Sequence, residues 1–106
     1  MENLSQAEWT AAVENDEQAQ ILDVRTYEEY QSGIIPNAKN LDIMETEDFM
    51  NALQTLDKNG HYYLYCHSGG RSGQACQIMT EMGFENTYNL QGGILLWKGE
   101  ITYPED

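Results

Sequence analysis

The sequence predicts a three-layer α/β domain. It has a mainly parallel central sheet of about five short strands, with helices on both faces. Three observations carry this. Short apolar runs at residues 20–24 and 61–65 are bounded by turn residues and are too brief for helices. Other segments repeat apolar residues at three- and four-residue steps. The two kinds alternate along the chain, which is the pattern of parallel βαβ units. At 106 residues, one domain spanning 1–106 is expected.

Each element has a local reason. Ser5-Gln6-Ala7-Glu8 is a capping box, and Trp9, Ala12 and Val13 follow at helical spacing, so a helix covers residues 5–14. Residues 20–24 read as a buried strand. Thr26 and Glu29 form a second capping box and open a short helix to about Gln31. Gly33 ends it, Pro36-Asn37 is a turn, and residues 38–41 form a short strand. Phe49, Met50, Leu53 and Leu56 mark a helix from about Thr46, closed by the Asn59-Gly60 turn. Residues 61–65 are a central strand running into Cys66. Ala75, Cys76, Met79 and Met82 form the stripe of a helix that starts at Arg71 or Ser72 and stops at Gly83. Residues 87–90 are a last strand, and Gly92-Gly93 leads into a short helix carrying Trp97.

Composition narrows the function. With 18 acidic and 5 basic residues the net charge is -13, so nucleic acid and anionic membranes are not expected partners. No run approaches the ~20 apolar residues of a membrane span. The first residues carry no basic and apolar signal pattern. Two cysteines are too few for a disulfide framework. The expectation is a cytoplasmic protein with free thiols.

The chemistry concentrates in Cys66-His67-Ser68-Gly69-Gly70-Arg71-Ser72. A cysteine ends a strand, two glycines allow the backbone to turn its N–H groups inward, and a helix begins. That is a nest at a helix N-terminus, suited to an anion such as a thiolate. Lowering a thiol pKa by two units takes only ~2.7 kcal/mol. A helix terminus supplies ~0.3–2 kcal/mol, and N–H bonds to sulfur supply more. Cys66 is therefore the candidate nucleophile. Cys76 falls on the core stripe and reads as packing. His61 opens a strand and reads as surface. No Cys/His spacing suits zinc, so no metal and no cofactor are expected.

The cysteine loop closely resembles the active-site loop of the rhodanese-like sulfurtransferases. Further likenesses follow in order: Asp23-Val24-Arg25 with Glu29-Tyr30 and Gly33, then Pro36-Asn37-Ala38 with Asn40-Leu41, then Asn89-Leu90 with Gly92-Gly93 and Trp97. The resemblance spans about residues 5–98. Ile34 stands where many members have histidine, Asn37 where many have glycine, and His67 where many carry Arg, Gln or Lys.

The resemblance implies sulfur transfer through a Cys66 persulfide, from a thiosulfate-type donor to cyanide or a thiol, with the amides of residues 67–72 as the cradle. It implies that Arg71 either anchors an anionic donor or braces the loop by bonding carbonyls. Asp23 and Arg25 would support the site from below. Arg25 is expected to pair with Glu28 or Glu29, and Asp23 to bond loop backbone. His67 either tunes the pocket mouth or is a solvated loop residue. Two rivals stand beside this reading. One is a sulfur-carrier or regulatory module acting on a sulfur-accepting partner protein. The other is a phosphatase or arsenate reductase of the same fold type. Those enzymes have five residues between cysteine and arginine, whereas four stand between Cys66 and Arg71.

Overall fold

The computed structural model describes residues 1–104. The elements in chain order are β1 (Glu2–Leu4), α1 (Gln6–Glu14), β2 (Ala19–Asp23), α2 (Tyr27–Gln31), β3 (Lys39–Asn40), α3 (Thr46–Gln54), β4 (His61–Tyr65), α4 (Gly70–Glu81), β5 (Asn86–Leu90) and a 3-10 turn (Ile94–Leu96). The strands form one sheet in the order β1-β5-β4-β2-β3, and every pairing is parallel.

Both faces of the sheet are covered, which explains why the central strand reads as a continuous apolar run. On one face Leu22, Leu64 and Tyr62 pack against Phe49 and Leu53 of α3 and Ala75, Cys76 and Met79 of α4. On the other, Ile21, Tyr63 and Tyr65 pack with Trp9 of α1. Trp9 meets Tyr63, Tyr65 and Trp97 edge-on, with centroids 6.0, 6.5 and 5.8 Å away. Both capping boxes form, Ser5 with Glu8 and Thr26 with Glu29. Asn37 takes a left-handed φ of 72°, a conformation asparagine tolerates better than most residues.

Several boundaries differ from the sequence expectation. The edge strand β1 has no signal in the sequence. Exposed Glu2 and Asn3 and half-buried Leu4 carry no period, and only pairing with β5 makes them a strand. Val24 lies past the end of β2, although its N–H still donates to the Tyr65 carbonyl at 3.1 Å. β3 is two residues long, and β5 begins at Asn86. α4 starts at Gly70, before Arg71. The last helix is a single 3-10 turn, with Trp97 just beyond it. Among the described residues no helix is long and apolar enough to cross a membrane.

Candidate active site at the end of the central strand

Strand β4 delivers Cys66 to the C-terminal edge of the sheet, where parallel α/β sheets bind ligands. The backbone then reverses through Gly69, at φ 105° and ψ -10°, which caps α4. That left-handed conformation strains any residue with a Cβ. It turns the Gly69 N–H onto Cys66 Sγ at 3.1 Å. One turn later Ser72, fully buried, brings its hydroxyl within 3.4 Å of the same sulfur. Behind the loop, Gly93 lies so close that a Cβ there would collide with the Cys66 and His67 carbonyls. The approach lets Ile94 N–H donate to the Cys66 carbonyl at 3.0 Å and Leu95 N–H to the His67 carbonyl at 2.9 Å.

The thiol is 1% exposed. Burial pushes its pKa up. Hydrogen bonds from the Ser72 hydroxyl and from the amides of Ser72, Gly69 and Ser68 push it down and win, so Cys66 sits below an ordinary thiol. Cys76 is equally buried on the α4 core face, and there burial dominates and raises its pKa to about 12, against a smaller opposing bond from Thr87. Both cysteines are free.

Asn89 of β5, buried and outside the cysteine loop, ties the cradle together. Its Oδ1 lies 2.5 Å from Ser72 Oγ. Its Nδ2 donates to the Gly69 carbonyl at 3.2 Å and to Asn3 Oδ1 at 2.9 Å. The peptide whose N–H faces the sulfur is next to the one whose carbonyl Asn89 holds. Ser72 has one hydroxyl proton for two acceptors, so its bond to sulfur competes with its bond to Asn89. Asn89 falls within the Asn89-Leu90 signature, but the sequence alone gives it no role. It sits 17 residues from Ser72, and only strand placement brings the two together.

Asp23 and Arg25 have other partners than the sequence suggests. Arg25 does not pair with Glu28 or Glu29. It folds back on Asp23, with Nη2 2.6 Å from Oδ2, and donates to the Gly33 carbonyl at 2.8 Å. Asp23 is fully buried at the end of β2 and also accepts from the Arg25 N–H at 2.9 Å and the Tyr65 hydroxyl at 2.8 Å. Its backbone bond is thus to the turn after its own strand, not to the cysteine loop. A carboxylate buried among these donors makes Arg25 its nearest countercharge, which a surface glutamate cannot match.

Arg71 is likewise neither an unpaired cation nor a brace on carbonyls. Its Nη1 and Nη2 grip both oxygens of Glu29 at 2.8 and 3.0 Å. The Arg71 bond is the main cause, with the Thr26 capping bonds, of the Glu29 pKa falling to about 2 despite opposing burial. His67 and Ser68 are exposed, and Gly70 opens α4 at the surface. His61 is half-buried rather than free at the surface, with Nδ1 2.7 Å from Asp16 Oδ2, at the opposite edge of the sheet from Cys66. Among the described residues no three His, Cys, Asp or Glu side chains gather to hold a metal.

Known proteins share this chain's sequence pattern and fold. A family profile described as a rhodanese-like domain matches residues 6–100. YtwF of Bacillus subtilis (strain 168), provisionally named a sulfurtransferase, is 36% identical over 106 residues, covering 100% of this chain and 98% of that protein. YrkF of the same organism, provisionally named a sulfur carrier protein, is 38% identical over 88 residues, 83% of this chain but 46% of that one. Further relatives carry sulfurtransferase names. The crystal structure of a rhodanese-like domain protein from Staphylococcus aureus superposes with a TM-score of 0.82 at 30% identity, covering 99% of this chain and 100% of that one.

Proposed function

This chain belongs to the rhodanese-like sulfurtransferase family, and from that premise we propose that it moves a sulfane sulfur through a persulfide on Cys66. With thiosulfate as donor, the Cys66 thiolate attacks the outer sulfur. The S–S bond breaks, sulfite leaves with the bonding pair, and Cys66 keeps the sulfur as a persulfide anion. Cyanide or a thiolate then attacks that terminal sulfur, and the Cys66 thiolate departs. Charge balances in each step and no outside oxidant is needed.

The observation that supports this best is the pair of donors on Cys66 Sγ, the Gly69 N–H at 3.1 Å and the Ser72 hydroxyl at 3.4 Å. Both donors are already beside the sulfur, and the Ser72 hydroxyl need only turn its proton from Asn89 to stabilise the anion. Four residues between Cys66 and Arg71 suit a small cradle for a single sulfur atom. The acceptor is a small thiophile, and the net charge of -13 argues against nucleic acid or anionic membrane as partners in the cytoplasm.

A second reading, a carrier that exchanges sulfur with a partner protein, draws support from the filled Arg71 fork, which leaves a small anionic donor no unpaired cation in the loop. Intact mass after thiosulfate, with and without cyanide, tests the shared chemistry. A gain of roughly one sulfur atom that cyanide removes is expected. A protein that never gains mass refutes sulfur transfer. Binding of a partner only by the persulfidated chain, with slow turnover of small donors, selects the carrier.

A further inference from the structure

The pairing of Arg71 carries a consequence for donor choice, resting on the sulfur-transfer reading. We propose that Glu29 is a specificity-determining residue, whose carboxylate fills the Arg71 fork and turns the mouth of the Cys66 site against dianionic donors and toward neutral or singly charged ones. Thiosulfate belongs to the first class, and an organic persulfide or thiosulfonate to the second.

The argument starts from helix α2. Glu29 is its third residue, and Oε1 accepts from the Thr26 N–H and from the Thr26 hydroxyl, both at 3.1 Å. The carboxylate is therefore built into the helix cap and cannot swing aside without opening it. The same Oε1 takes Arg71 Nη1 at 2.8 Å while Oε2 takes Nη2 at 3.0 Å. A guanidinium offers an anion its planar, two-pronged edge, and here a fixed carboxylate already holds it. The pair is only partly exposed, at 29% and 34% for the two side chains. An incoming dianion meets a neutralised cation, on a molecule whose net charge is -13. It must bind on backbone N–H groups alone or displace Glu29. A donor with less charge avoids that competition.

Glu29→Gln separates the effects. The amide oxygen still accepts from Thr26 and from Arg71 Nη1, but the amide NH2 meets Nη2 donor to donor, so one prong is freed and the negative charge is removed. The first readout needs no sulfur transfer, so it stands or falls apart from the sulfur-transfer reading. Iodoacetate and iodoacetamide both alkylate the Cys66 thiolate with loss of iodide and differ by one negative charge. Their rate ratio cancels changes in thiolate population. Glu29→Gln should raise the iodoacetate-to-iodoacetamide ratio about 3- to 10-fold, the worth of one unit charge at short range in a watery site. Glu29→Asp keeps the charge and should stay near wild type. Glu28→Gln makes the same change in net charge on an exposed neighbour and should shift the ratio less than about twofold. The second readout is the KM for thiosulfate, which should fall more in Glu29→Gln than the KM for methanethiosulfonate, a near-isostere with one charge less. A ratio unmoved in Glu29→Gln, or moved equally by Glu28→Gln, overturns the proposal. So do equal falls in the two KM values.

Discussion

The two cysteines lie ten residues apart in sequence, are buried to within 1% of complete, and diverge in chemistry. Cys66 sits where a parallel strand stops and its loop turns N–H and O–H groups onto the sulfur. Cys76 sits on the α4 face between Met79 and Ala75, in an apolar layer. Burial raises both thiols. Only at Cys66 do the donors outweigh it, which leaves one thiol below its ordinary pKa and the other pushed to about 12. What distinguishes a nucleophile from a packing residue here is the set of hydrogen bonds aimed at sulfur, not exposure.

Cys66→Ser should break the comparison most completely. Persulfide formation should vanish while the fold persists, read as a loss of the added sulfur mass with unchanged far-UV dichroism. An adduct surviving on the Cys76 peptide would reverse the assignment. Next in size is Ser72→Ala. Losing a hydrogen bond to a charged sulfur is worth ~1.5–3 kcal/mol. At pH values below the pKa of both proteins, Cys66 should then alkylate about ten times more slowly or worse. The profile against pH should move to higher pH, so that the rates of mutant and wild type converge in alkaline solution. The smallest effect belongs to Cys76→Ala, which should cost ~1 kcal/mol of stability in a denaturant titration and leave sulfur transfer unchanged. Transfer lost without any change in melting would instead make Cys76 a redox partner.

Much of this was legible in sequence because it is local. The capping boxes at Ser5 and Thr26, the Gly69 reversal and the strand-to-helix junction at Cys66 are each decided within a few residues. The failures share a cause. The sequence suggests Glu28 or Glu29 as the partner of Arg25, but Arg25 stands just past a strand end where Asp23 is nearer. Glu29 was legible as a cap and illegible as the partner of Arg71, 42 residues away, because parallel strand order alone puts α2 beside the start of α4. Asn89 and β1 were missed for the same reason. Their contacts to Gly69, Ser72 and β5 exist only once the sheet has formed.

The most direct test of the account is the pH dependence of alkylation measured on both cysteines of the same native molecule. Isotope-coded iodoacetamide, followed by peptide mapping, gives the two rates at each pH. Because the native Cys66 pKa is lowered, its rate should reach a plateau at a pH below that of a free thiol of about 8.5, while Cys76 stays unlabelled until strongly alkaline solution. A Cys66 profile that rises at or above the free-thiol value, or Cys76 reacting alongside it, would contradict the claim that the loop's donors lower the Cys66 pKa.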